Sequence, residues 1–312
     1  MICNQVVNWS WITMTIDDNI LSLIYEIIDV IISGLTNGSV YALMAVGLTL
    51  VYGVTKAFNF AYGSFFNLGG YLAWILISLT ALAGGYISIF FLVIPLMFLV
   101  GYCLEITMVA PLRKRDDWEM KVMMLTLGLA LFMDNLYSVV FGGRIKSLPP
   151  ILEGTLEFGD LIFNYQDIMI FFLSIGGILL FGWILNNTRT GMAVQAVAQN
   201  PEGARIVGIP RNRIFAATFA ISTAMVGFGG ILLSQKYFIS PMSGGAIMVK
   251  SWVITAFGGM GSIRGGLYAA FIIGMMEAFV GWKLGMSYEM IALFVLLLTT
   301  LVIRPQGLMG KG

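Results

Sequence analysis

Charged residues are so sparse, and so confined to short stretches, that long segments of this chain carry none. That pattern limits the fold more than any motif does. Apolar runs occupy 27–54, 59–80, 86–110, 122–142, 167–187, 214–235, 247–260, 266–282 and 287–303, with charge gathered mainly between them. Only 11% of the 312 residues are charged and 59% are apolar, whereas soluble domains carry about 25% charged residues. A soluble globule cannot cover its surface on those terms, so the solvent is mostly lipid. A span needs about 20 apolar residues, and the runs are of that size with short loops between. The sequence therefore predicts an all-α polytopic membrane protein of about eight or nine transmembrane helices. The seventh run is short. The second holds Gly63 and Gly69-Gly70, and a glycine string, Gly258–Gly266, follows the seventh. Broken or re-entrant segments are expected at both places.

Basic residues set the orientation, because cytoplasmic loops are enriched in Lys and Arg. No Lys or Arg precedes Lys56. Most of the 17 basic residues then fall in alternate loops: Lys56; Arg113, Lys114, Arg115 and Lys121; Arg189, Arg205, Arg211 and Arg213; Arg264; Arg304 and Lys311. Arg144, Lys146, Lys236, Lys250 and Lys283 fall on the other side. Nine crossings with the N-terminus out and the C-terminus in satisfy this count. The segment 1–26 reads as an extracytoplasmic N-terminal stretch and 27–312 as the membrane domain. The start is not a standard signal peptide, since no basic residue precedes its first apolar run. The longest outer stretch, 143–166, reads equally as a small cap and as a solvated loop.

Missing residues exclude chemistry. The chain has no His, which removes His-based acid–base catalysis, Ser-His-Asp triads and His-ligated metals. Cys3 and Cys103 form no CxxC, and Cys103 reads as a packing residue in an apolar run. No P-loop motif is present, so any ATP is bound by another subunit. Net charge is +1, which offers no basis for nucleic-acid binding. No catalytic residue, metal site or cofactor is expected. An intramembrane enzyme would need paired Asp or Ser/Lys groups, and none is evident. Asn8-Trp-Ser10 and Asn37-Gly-Ser39 read as chance matches to a glycosylation pattern.

The inner loop at 188–213 carries the most information. Gly191–Gln199 is rich in helix formers. Asn200 is placed as an N-cap with Pro201 at the first helical position and Glu202 in the first turn. Gly208 ends the second helix and Pro210 prevents its resumption. Small residues, Ala193, Ala196 and Ala204, allow a close partner, while Arg205 offers a charge. The loop reads either as a coupling element for a motor subunit, with Thr190, Gly191, Ala193, Ala196, Asn200, Ala204, Arg205 and Gly208 in contact, or as a plain connector. Under the first reading, Ala204→Arg is expected to abolish driven transport.

Here the sequence resembles the branched-chain amino-acid ABC transporter permeases, of the high-affinity leucine/isoleucine/valine type. The resemblance covers about 30–312. It is carried by Gly34–Leu43, Gly47–Gly53, Asn59-Phe-Ala-Tyr-Gly63 with Gly70-Tyr71, the loop from Thr190 to Gly208, Gly258-Gly-Met-Gly-Ser-Ile-Arg-Gly-Gly266 and Arg304-Pro-Gln-Gly-Leu308. It implies an inner-membrane permease working by alternating access. A second homologous permease, two cytoplasmic ATPase subunits and an extracytoplasmic solute-binding protein would complete the importer. The loop at 190–208 would contact the ATPase. Family members commonly have His where this chain has Tyr62, so a titratable group is lost there. The competing class is a secondary transporter or channel for a small polar solute. Urea or amide substrates also fall within the importer reading.

Polar groups at membrane depth are the expected pathway residues. Broken backbone there must be buried in protein or line a wet cavity, which singles out Asn59, Tyr62 and Gly63, and Gly258, Gly259, Gly261 and Ser262. Asp134 with Asn135, and Glu277, are charges or amides inside spans and must face protein or water. Glu105, nearer an inner end, is expected to approach the interface. Gly34/Gly38, Gly261/Gly265 and Gly281/Gly285 form GxxxG pairs suited to helix contact.

Overall fold

The computed structural model describes residues 9–79, 85–152, 154–158 and 161–310. Cys3, Asn8, Glu153, Asp160 and Lys311 lie outside the described residues, as does most of the 1–26 segment's side-chain detail. Twelve α-helices follow in order: α1 (Trp9–Thr55), α2 (Tyr62–Leu79), α3 (Gly85–Leu104), α4 (Ala110–Leu112), α5 (Trp118–Phe141), α6 (Tyr165–Asn187), α7 (Arg189–Gln199), α8 (Pro201–Ile206), α9 (Arg211–Lys236), α10 (Ser243–Gly258), α11 (Ile263–Lys283) and α12 (Glu289–Ile303). A π-turn, Glu105–Val109, joins α3 to α4. Eight of the described helical segments are long and apolar enough to cross a membrane. The short α10, with 16 residues, is not among them.

The core is built around α1 and α9. Of their apolar stretches, 94% is buried within the chain, against 6% for α12. Helix α1 lies against α11 along a glycine seam. A side chain at Gly34 would meet Met275, and one at Gly38 would meet Phe271. Small residues of this kind let helices approach where lipid supplies no hydrophobic drive. Helix α9 meets α2 in the same way, Gly69 against Gly227 and Gly230 against the Phe66 carbonyl. The glycines of α2 are thus contact points, and α2 runs unbroken through them. This corrects the expectation of a second span broken at Gly63 and Gly69-Gly70. Among the GxxxG pairs, Gly285 is different: it has φ +98° and open space around it, so it stops α11 and packs nothing.

The break lies just before α2. Residues 56–61 leave the end of α1 and run back along α5. The Phe60 amide donates to Thr126 Oγ1 at 3.1 Å, and Ser64 Oγ donates to Asp134 Oδ1 at 2.8 Å. Phe58 and Phe60 both pack on Trp252, with ring centroids at 4.2 and 5.1 Å. The irregular backbone is therefore covered by protein, as membrane depth requires.

Residues 143–166 hold one hairpin, β1 (Thr155–Phe158) antiparallel to β2 (Leu161–Asn164), with Thr155 opposite Asn164. A backbone pair between Lys146 and Ile239, 2.9 and 2.8 Å, ties this segment to the one preceding α10. Lys146 also lies over the Trp74 ring. The hairpin is the one departure from all-α structure among the described residues.

The junction of α3 and α4 holds a buried ion pair. Glu105 is 1% exposed and pairs with Arg113, whose guanidinium lies 4.5 Å from the Phe215 ring centroid. Glu105 therefore does not reach the interface as expected, and Arg113 is not a free loop charge. Burial pulls the Arg113 guanidinium below its ordinary pKa, and the Glu105 carboxylate opposes that shift. Removing one partner of a buried pair costs about 3–5 kcal/mol, more than the pair itself contributes. Arg113→Met is expected to lower the thermal unfolding midpoint in detergent strongly, and adding Glu105→Gln to recover much of it.

Candidate functional site

The polar groups expected along a pathway sort into three places. Asp134 accepts from Ser64, and Tyr137 Oη donates to the Ser64 carbonyl at 2.9 Å. Asp134 thus joins α5 to α2. Asn135 is exposed and donates to Leu131 O on its own helix at 2.7 Å. Neither borders the large cavity described below.

Gly258, Gly259, Gly261 and Ser262 form the tight turn between α10 and α11. Gly259 and Gly261 have φ of 101° and 86°, which favours glycine. Ser262 Oγ caps α11 by accepting from the Gly265 amide at 3.2 Å. The Met309 amide donates to the Gly258 carbonyl at 3.1 Å, docking the C-terminal tail. Gly261 neighbours Gly53, which in turn neighbours Ala198 of α7. The turn therefore sits toward the end of the bundle that carries the basic loops.

Asn59, Tyr62 and Gly63 do lie inside. Asn59 is 3% exposed, and its Oδ1 accepts from the Ala61 amide at 3.0 Å, turning the chain into α2. Tyr62 is fully buried and donates to the Met44 carbonyl at 2.7 Å. Gly63 touches Gly244, so closely that a Cβ on Gly63 would overlap the Gly244 carbonyl. The starts of α2 and α10 thus meet within the protein. Asn67, one turn on, donates to the Ser240 and Pro241 carbonyls at 3.1 and 3.2 Å and accepts from Ser243 Oγ at 2.8 Å. This side chain fixes where α10 begins.

Above that start opens a cavity of about 650 Å³, within the roughly 300–1,000 Å³ typical of small-molecule sites. It lies toward the end opposite the basic loops, between α1, the C-terminal ends of α9 and α11, and the first two turns of α10. Ser243, Ala246, Ile247 and Lys250 line it from α10, positions that share one helix face. Its charged groups are Lys250, Glu277 and Glu289 together with Asp29 and Lys236; Phe66 and Leu233 are among its apolar walls.

Glu277 is 3% exposed. Its Oε2 accepts from Tyr41 Oη at 2.7 Å, and its Oε1 is 3.0 Å from Lys250 Nζ. Lys250 Nζ also donates to Tyr41 Oη at 3.2 Å and lies 4.0 Å from Glu289 Oε2. On the rim, Lys236 pairs with Asp167 at 3.0 Å. Asn37 donates to Tyr237 Oη at 3.1 Å, so the glycosylation-pattern match there is a buried structural residue. Burial raises the Tyr237 phenol above its ordinary pKa, against the Asn37 hydrogen bond, and it remains a neutral donor.

Of the expected pathway residues, Glu277 is the one that borders this cavity. Lys250 and Glu289 were missed. The signal for Lys250 was a lysine inside the seventh apolar run, seven residues after Ser243.

At the other end, α7 and α8 form, α8 with the expected Asn200 cap and α7 with a Thr188 cap that was not foreseen. Thr188 Oγ1 accepts from the Gly191 amide at 3.0 Å, and Asn200 Oδ1 from the Gly203 amide at 2.9 Å. Gly208 has φ +83°, and the Ile209 amide closes on the Ala204 carbonyl at 3.0 Å. Gly191 and Ala204 are buried within the chain, Gly191 against Ile184 and Leu185 of α6. Neither faces outward, which corrects the expectation for both. Thr190, Asn200, Arg205 and Gly208 are exposed, and Ala193 and Ala196 are half-buried. Unforeseen, Ile206 and Val207 stand 85% and 75% exposed beside them.

The sequence is similar to known transport proteins over most of its length. A family model described as "Branched-chain amino acid transport system / permease component" matches residues 30–303. The high-affinity branched-chain amino acid transport system permease protein BraD of Pseudomonas aeruginosa is 31% identical, over 92% of this chain and 97% of its own. The corresponding LivH permease of Escherichia coli is 29% identical, over 89% and 94%. A probable LivH permease of Methanocaldococcus jannaschii is 29% identical, over 86% and 88%.

Proposed function

The chain belongs to the branched-chain amino acid permease family, and from that premise we propose that it is the membrane-spanning subunit of an ATP-driven importer for branched-chain amino acids. It is a multi-pass membrane transport component and not an enzyme. The proposal adds its setting: a bacterial-type inner membrane, a second homologous permease, two cytoplasmic ATPase subunits and an external solute-binding protein.

The observation that carries it is the division of labour between the two ends. The end bearing the basic loops holds α7 and α8, whose caps fix them and whose tip exposes Ile206, Val207 and Arg205. Two adjacent apolar side chains on the watery side of a membrane protein suit contact with another protein. The opposite end holds the cavity. Between them the starts of α2 and α10 meet at Gly63 and Gly244 and close the route. In this account ATP closes the motor dimer, α7 and α8 carry that motion to the bundle, and the spans alternate between inward-open and outward-open. The binding protein releases its amino acid into the cavity in the outward state. This chain performs no covalent step.

Co-purification tests the assembly. The tagged chain, gently extracted from its native membrane, is expected to bring an ATPase pair and a second hydrophobic permease in fixed ratio. Elution as a homo-oligomer without them would contradict the proposal.

A further inference from the structure

The cavity holds a charge arrangement that a neutral solute does not require. A lysine ammonium has three donors. Lys250 donates to Tyr41 Oη at 3.2 Å and is ion-paired with Glu277 Oε1 at 3.0 Å. Glu289 Oε2, at 4.0 Å, lies beyond hydrogen-bond distance, so the ammonium keeps donor capacity that Glu289 does not use. Glu289 is 24% exposed against 3% for Glu277, so Glu277 holds Lys250 while Glu289 faces the opening. A side chain at Gly281 would press on Glu289 Oε1 at 2.8 Å, and glycine there leaves the carboxylate room. A cation with donor capacity to spare and a partly exposed carboxylate thus stand 4.0 Å apart in a loose ion pair, with apolar Val30, Phe66 and Ile247 lining the same cavity.

We propose that Lys250 and Glu289 form a binding site in this chain for the head group of a zwitterionic amino acid. Its carboxylate takes a Lys250 donor, and its ammonium takes Glu289. The branched side chain lies against the apolar wall. Tyr41 and Glu277 are positioning residues that fix the lysine. Charge-assisted hydrogen bonds are about twice as strong as neutral ones, so the site selects amino acids over urea, amides and other uncharged solutes. The permease then contributes specificity of its own. This inference rests on the importer reading above and names the site within it.

The test uses the assembled importer in lipid nanodiscs, without binding protein, and radiolabelled leucine as probe. Unlabelled leucine is expected to displace the label. 3-Methylbutylamine, which lacks the carboxylate, and 4-methylpentanoate, which lacks the ammonium, are each expected to compete at least tenfold more weakly. Glu289→Gln is expected to weaken leucine binding at least tenfold with an unchanged melting profile, and Glu289→Asp to restore part of it. Binding by Glu289→Gln within twofold of the parent overturns the site. So does the absence of leucine binding in a parent complex that still imports leucine with ATP. Failure of the parent complex to import any branched-chain amino acid with ATP and binding protein overturns instead the reading on which the site rests.

Discussion

Replacing Ile206 and Val207 together by Asp is expected to abolish ATP-driven uptake while the chain still inserts and keeps its melting profile. Both side chains stand in water in the isolated chain, 85% and 75% exposed. A charge at either costs the fold little, because surface substitutions away from caps and cores fall within about ±0.5 kcal/mol. In contact with a motor subunit the same carboxylates would be desolvated without partners, which costs several kcal/mol each. Every 1.4 kcal/mol is about tenfold in affinity, so the pair removes docking outright. The measurement is uptake and ATPase stimulation in proteoliposomes, beside the amount of ATPase that co-elutes. Normal uptake by the double variant would remove the coupling role from this loop. Ala204→Arg is no longer the variant of choice. Ala204 is buried within the chain, so an arginine there would disturb the seating of α8 before it met any partner.

The second large effect is expected at the crossing of α2 and α10. Gly63→Val is expected to eliminate transport and to lower the unfolding midpoint, with Gly244→Val behaving alike. Overpacking usually costs about 1–3 kcal/mol because side chains yield. Here the obstruction to a Cβ on Gly63 is the Gly244 carbonyl, and the backbone has little freedom to move. The two helix starts would be forced apart where Asn67 holds Ser240, Pro241 and Ser243. Gly128, by contrast, has open space around it. Gly128→Val serves as the control and is expected to leave uptake near the parent rate. Equal loss in both variants would mean that the contact between α2 and α10 has no special place in transport.

Much of this architecture was legible in the sequence because lipid imposes one simple requirement on length and polarity. Eight runs became spanning segments for that reason. Asn200, Pro201 and Gly208 marked α8 through local chemistry, since caps act within one turn. What depends on distant partners was not legible. Gly69 and Gly70 read as a break, yet they are close approaches to α9, visible only once Gly227 and Ser234 are brought alongside. Gly258–Gly266 read as a broken segment, and the tail docked on it through Leu308 and Met309 comes from far along the chain. Asp134 was a charge at the right depth facing the wrong neighbour. Lys250 was counted by its sign among the charges of the other side. Its role follows from Tyr41, Glu277 and Glu289, which come from three other helical segments. Arg113 was likewise counted with the loop charges, because nothing local shows that Glu105 and Phe215 enclose it.

The central claim is that this chain moves branched-chain amino acids only as part of an ATP-driven assembly. The most direct measurement is uptake of labelled leucine, isoleucine and valine into proteoliposomes holding the co-purified complex, with binding protein outside and ATP inside. The account predicts accumulation that needs both the ATP and the binding protein and that persists when ionophores collapse every ion gradient. Uptake by this chain alone down an ion gradient, unaffected by removing ATP, would contradict it.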